Sequence, residues 1–126
     1  IRPALEQRKN AYAPYSFFRV GAALLTESGE VYTGCNIENS AYTPTNCAER
    51  TAIFKAVSEG ERSFRAICIA GGPGEKEPEE FCPPCGVCRQ VMLEFCSPDF
   101  VIILAVNLER YQIYTLDELA PMGFRL

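Results

Sequence analysis

The spacing of apolar and polar residues divides the chain into alternating helical and extended segments. Pro3–Ala13 reads as an opening helix stopped by Pro14, since proline cannot continue the hydrogen-bond ladder. Phe18–Thr26 (FRVGAALLT) and Glu30–Asn36 (EVYTGCN) read as strands joined by a Ser28-Gly29 turn. Asn46–Glu59 is helical in pattern, with Asn46 placed to cap its start and Gly60 to stop it. Phe64–Ala70 (FRAICIA) follows as a third strand, and Gly71–Pro83, rich in Gly, Pro and acidic residues, as an exposed loop. A second long helix spans Pro84–Cys96, with proline where a helix start tolerates it. Val101–Val106 (VIILAV) is a continuous apolar run, expected as a buried strand, and Gln112–Tyr114 a short last one. Thr115-Leu116-Asp117-Glu118 has the form of a capping box opening a terminal helical turn. These elements predict an α/β fold: one domain over residues 1–126, with a mixed sheet of about five strands between helices in three α/β/α layers.

Composition narrows what such a domain can do. Hydrophobic residues make up 48% and charged residues 22%, enough for a packed core, so disorder is excluded. The net charge is −4, and the longest basic grouping is Arg8-Lys9, which gives no footprint for DNA or RNA. A single nucleoside, lacking phosphate, is not excluded by an acidic surface. No stretch approaches the ~20 apolar residues of a membrane helix, and Ile1–Asn10 has no signal-like apolar run, so a cytoplasmic location is expected. The seven cysteines are an odd number, which suits a disulfide framework poorly and favours metal binding by reduced thiols. Histidine is absent. That removes every Ser-His-Asp and Cys-His scheme and leaves sulfur or oxygen to hold any metal.

Cys85 and Cys88 stand at i and i+3 in the predicted first turn of the second long helix, on one face, where they can grip one ion. Cys47 stands at the start of the other long helix, in Asn46-Cys47-Ala48-Glu49-Arg50. Helix N-termini favour thiolate over thiol, so two such starts converging would make an anionic three-sulfur site. Three protein ligands leave a coordination position for water, as in catalytic zinc sites, and Glu49 is close enough to that position to move protons. A C-x2-C pair alone fits a closed structural zinc equally well. Cys82 is the competitor for a fourth ligand, whereas Cys35, Cys68 and Cys96 read as buried small hydrophobes.

The pair Cys47-Ala48-Glu49-Arg50 and Pro84-Cys85-Gly86-Val87-Cys88-Arg89-Gln90 resembles the signature of the cytidine deaminases. The resemblance extends to Ala13-Pro-Tyr-Ser16, Val20-Gly-Ala-Ala23, Gly34-Cys-Asn-Ile-Glu-Asn39 and Lys55-Ala-Val-Ser-Glu-Gly60. Pro83 replaces the usual Ser, and Val87 the usual Ala. What the resemblance implies is zinc-dependent hydrolysis of cytidine and deoxycytidine to the uridine products with release of ammonia, as in pyrimidine salvage. Zinc-bound hydroxide would attack C4 of the base, and Glu49 would shuttle protons to N3 and the departing amine. Arg50 would hydrogen-bond the thiolates and restore the metal's Lewis acidity. Asn36 and Glu38 would bind the ribose, Phe18 would pack on the nucleoside, and the Ala48 N–H would meet the pyrimidine O2. The resemblance to the short, three-cysteine type further implies a homotetramer, in which Phe124 reaches a neighbour's active site. Two other readings stay open: a deaminase of a cytosine-nucleoside antibiotic such as blasticidin S, which should lack the Asn36/Glu38 pair, and a non-catalytic structural-zinc module.

Overall fold

In a computed structural model describing residues 1–126, the strands are β1 (Phe18–Thr26), β2 (Val31–Cys35), β3 (Phe64–Pro73), β4 (Val101–Ala105) and β5 (Tyr111–Thr115). They form one sheet in the order β2-β1-β3-β4-β5. β1 runs antiparallel to both neighbours, β3 and β4 are parallel, and β5 returns antiparallel to β4. The helices are α1 (Arg2–Gln7), α2 (Ala48–Ser58), α3 (Gly86–Phe95) and α4 (Leu116–Leu119). A parallel pair needs a crossover, and α3 supplies it between β3 and β4.

Strand side chains alternate between faces, and here the two faces differ in size. Val20, Ala22 and Leu24 of β1, Ile67 and Ile69 of β3, and Ile102 and Leu104 of β4 enter the main core. Ala52 and Ile53 of α2 and Met92 and Leu93 of α3 close it. On the other face Cys68, Ala70 and Ala105 are small, and Ala4 of α1 packs against them. The expected three layers are therefore present, one thick and one thin. Two glycines permit the close approach of helix to sheet. A Cβ on Gly21 would lie 2.0 Å from the Ala4 carbonyl oxygen, and one on Gly34 would lie 2.5 Å from both the Ala48 oxygen and the Ala52 nitrogen. No helix is long and apolar enough to cross a membrane.

Most boundaries shift by one or two residues from the sequence reading, and three differences matter for the site. The opening helix stops at Gln7 and tightens into a 3-10 turn at Arg8–Asn10 instead of running to Ala13. Tertiary pairing overrides helical propensity there: the Tyr12 N–H donates to the Asn36 carbonyl and the Tyr12 carbonyl accepts from the Glu38 N–H, which draws the chain into extended form. β3 continues to Pro73 because β1 pairs with it as far as Phe18, so the loop after it is shorter than expected. Cys47, not Asn46, is the N-cap of α2, and the Asn46 amide donates instead to the Thr51 hydroxyl. The Thr115/Glu118 capping box forms as read, with Thr115 accepting from the Glu118 N–H and Glu118 from the Thr115 N–H. Cys35, Cys68 and Cys96 are buried, at 7%, 5% and 6% exposure.

Gly34 sets the distance of α2 from the sheet. Gly34→Ala should push α2 outward and lower stability by about 1–3 kcal/mol. The expected readings are a lower thermal midpoint together with reduced zinc retention, because α2 carries Cys47.

Candidate active site

Sheet topology brings the relevant elements to one edge. β1 begins where β2 and β3 end: Phe18 is opposite Pro73, and Gly21 is opposite Cys35. α2 follows β2 and α3 follows β3, so both helices start at this edge. Cys47 is the extended N-cap of α2 and Cys85 that of α3, and neither contributes a side-chain capping bond, which leaves both sulfurs free for other use. Cys88 is the third residue of α3 and is buried. The sulfurs of Cys47, Cys85 and Cys88 all lie within 4.8 Å of one another, with Cys47 and Cys85 at 3.7 Å.

The donor set fits zinc. Bonds of 2.3 Å in a tetrahedral site place sulfurs about 3.8 Å apart, close to the Cys47–Cys85 separation. No fourth Cys, Asp or Glu joins the cluster. Cys82 stays outside it, packed against β3 with its sulfur 2.9 Å from where a Cβ on Gly71 would be. Burial pushes the Cys82 thiol up to about 12, with the Glu49 and Cys47 charges adding to the effect. A closed four-thiolate site is therefore not formed.

Electrostatics divide the cluster unequally. Hydrogen bonding with Cys88 pulls Cys47 down to about 5 against the opposing effect of burial, with help from Arg50 and Cys85. Cys88, the partner in that bond and itself buried, is held well above the usual thiol range. The Cys47–Cys88 pair thus favours a single thiolate, shared through the bond between them and supported by Arg50. Arg50 donates from Nη2 to the Cys47 sulfur at 3.2 Å. Burial alone would lower its pKa, but its bonds to Cys47 and Cys88 more than offset this and raise it. The Arg50 Nε is buried with no hydrogen-bond partner.

Glu49 is 4% exposed, in the first turn of α2 two residues beyond Cys47. Burial pushes its carboxyl up to about 7, opposed by a bond from its own backbone N–H and reinforced by the Cys47 charge. A carboxyl at that value can both accept and return a proton near neutrality. Ala48, the first residue of α2, is fully buried, and its N–H belongs to the helix turn that has no carbonyl one turn earlier.

The remaining expected residues lie on the segments around this edge. Asn36 bridges to β1, accepting from the Val20 N–H at 2.9 Å and donating to the Phe18 carbonyl at 2.8 Å. Glu38 accepts from the backbone N–H groups of Tyr15 and Ser16 and from the Ser16 hydroxyl. The Ser16 hydroxyl contact is the leading reason its carboxyl sits below the usual range. It lines a groove of about 300 Å³ with Tyr15, Ser16, Asn39, Tyr42 and Thr45. Phe18 is 38% exposed, and its ring edge lies beside Gly71. Phe124 is 67% exposed on the C-terminal segment, where its carbonyl accepts from Gln90. It is not gathered with the others. The residues that sequence reasoning passed over are Tyr15 and Ser16, which hold Glu38. Their motif, Ala13-Pro-Tyr-Ser16, is legible, but nothing local ties it to a carboxylate 22 residues on.

Comparison with known proteins agrees with this geometry. A family profile described as the cytidine and deoxycytidylate deaminase zinc-binding region matches residues 1–104. The chain belongs to that family. It is 48% identical over 124 residues to a cytidine deaminase of Sporosarcina psychrophila, covering 98% of this chain and 88% of that one. The crystal structure of cytidine deaminase from Burkholderia pseudomallei superposes with a TM-score of 0.89 at 43% identity, covering 98% of this chain and 95% of that one. A blasticidin-S deaminase of Bacillus cereus is a more distant relative, 32% identical over 108 residues, covering 83% of this chain and 76% of that one.

Zinc content of purified variants tests the ligand set. Cys82→Ser should keep the metal and Cys85→Ser should lose it; metal loss in the former would mean that Cys82 ligates. Arg50→Ala should keep the fold and weaken zinc retention about 10-fold or more, measured by competition with a chelator.

Proposed function

We propose that this protein is a zinc-dependent cytidine deaminase, hydrolysing cytidine and deoxycytidine to the uridine nucleosides and ammonia. The observation that carries the reading is the buried Glu49 carboxyl beside a three-sulfur cluster with no fourth protein ligand. Cys47, Cys85 and Cys88 would hold the ion, which when bound supplies Lewis acidity enough to bring the pKa of water to about 7. Glu49 would take a proton from a water whose oxygen adds to C4 and would deliver it to N3 of the pyrimidine. It would then move the proton of the added hydroxyl to the exocyclic amine, so that the C4–N bond breaks and ammonia leaves. The same group can serve as base and then acid because the proton it collects is the one it returns, and burial raises its carboxyl above the usual range.

The other residues position the substrate. The Ala48 N–H meets the pyrimidine O2, and Phe18 packs against the base. Asn36 and Glu38 take the ribose hydroxyls, and Arg50 draws charge from the sulfurs. The exposed Phe124 serves a neighbouring subunit in a homotetramer, a state that static light scattering would report. An antibiotic deaminase is disfavoured by the ribose pair, and a structural-zinc module by the absence of a fourth ligand in the cluster.

Absorbance-monitored turnover of cytidine tests the reading. Glu49→Gln should retain zinc and lose at least about 100-fold in kcat. Wild type should process cytidine in strong preference to blasticidin S. A Glu49→Gln enzyme with normal turnover, or the reverse preference, would remove the respective assignment.

A further inference from the structure

Behind the wall that carries Phe18 lies a second concavity with a different chemistry. A cavity of about 420 Å³ opens between the Arg8–Asn10 turn, the start of β1 and the turn that follows β3. Leu5, Arg8, Lys9, Arg19, Gly74 and Glu75 line it. Three cations thus face one acid, in a chain whose net charge is −4.

Arg8 is fixed at the base of this cavity. Its side chain is only 6% exposed. Nε donates to the Arg19 carbonyl at 2.9 Å, Nη1 to the Lys76 carbonyl at 2.9 Å, and Nη2 to the carbonyls of Gly72 at 2.9 Å and Gly74 at 3.2 Å. A guanidinium has five N–H donors, so one on Nη1 has no protein acceptor. Carbonyls satisfy the hydrogen bonds without neutralising the charge. The chain's ion pair, Arg65 with Glu27, lies elsewhere, and Glu75 makes none with Arg8. Burial and the nearby Arg19 charge both work against the charged form of Arg8. A buried cation facing a second cation is an unfavourable arrangement that an anion between them would relieve. Arg19 and Lys9 are free to supply that contact: the only bond of the Arg19 guanidinium is a long one, 3.4 Å, to the Lys9 carbonyl.

We propose that this cleft is a binding site for a phosphate group, either free or carried on a small ester. Arg8 contributes a fixed donor, Arg19 a planar fork suited to two oxygens, and exposed Lys9 a mobile charge. The site is distinct from the sulfur cluster but adjoins the nucleoside side of it. Arg8 is bonded to Gly72, whose neighbour Gly71 touches the Phe18 ring edge, and Arg19 directly follows Phe18 in β1.

The test is calorimetric titration of the zinc-loaded full chain with inorganic phosphate and, separately, with adenosine 5′-monophosphate. Saturable binding of at least one is expected in the millimolar range or tighter. Arg19→Glu should weaken it about tenfold or more, and Glu75→Gln should strengthen it. Comparable binding of both titrants identifies the phosphate group alone as the ligand, and tighter binding of the nucleotide identifies an ester. Lys9→Glu, on an exposed side chain, gives the same reading if Arg19→Glu alters the melting midpoint. Absence of binding by either titrant, or affinity unchanged in both charge-reversal variants, would overturn the proposal.

Discussion

Three sulfurs held within 4.8 Å of one another are an unstable arrangement for a chain to maintain by itself. If all were ionised they would repel, and if all were protonated they would offer little to bind. The fold answers by mounting them on rigid parts. Cys47 and Cys85 are the caps of two helices that start at the same edge of one sheet, and Cys88 is anchored in the main core. Everything that fixes the separation of those helix starts therefore fixes the site. The antiparallel β2-β1-β3 register aligns the strand ends from which the helices depart. Gly34 lets α2 settle against β2 at a distance no side chain would allow.

The charges around the cluster follow from the same placement. Three thiolates on a divalent cation would leave one negative charge, and the Arg50 guanidinium, bonded to the Cys47 sulfur, would offset it. Glu49 extends from the same turn of α2 but is buried, so its ionisation is disfavoured where that of Arg50 is not. The start of one helix thus presents a sulfur, a carboxyl and a guanidinium within four residues. Separate loops would have to be ordered independently to achieve this.

Much of this was legible in the sequence because the signals were local. β1 is read to its exact bounds from FRVGAALLT, and the capping box at Thr115 is a four-residue pattern that forms as written. The three-sulfur cluster was legible because the absence of histidine and the C-x2-C spacing point to cysteines at two helix starts. What was missed depends on contacts between distant segments. The opening helix is cut short by Tyr12 pairing with Asn36 and Glu38, 24 and 26 residues away. Asn46 has ideal capping chemistry, yet its amide goes to Thr51 and the cap position goes to Cys47. Cys82 is set apart from the cluster only in three dimensions, since its position three residues before Cys85 gives no hint that it packs on Gly71. The cationic cleft at Arg8 draws on residues from 5 to 75, and no local pattern announces it.

The bonds around Glu38 bear on how selective the groove beside it can be. Both carboxylate oxygens are already engaged, by two backbone N–H groups and the Ser16 hydroxyl. A carboxylate offers about four acceptor positions, and three are taken, so an arriving hydroxyl finds one left on Oε2. Because the carboxylate is held in place before any guest arrives, binding there would cost little further ordering. Tyr15 and Ser16 therefore hold the Glu38 carboxylate in one position whether or not the groove beside it is filled.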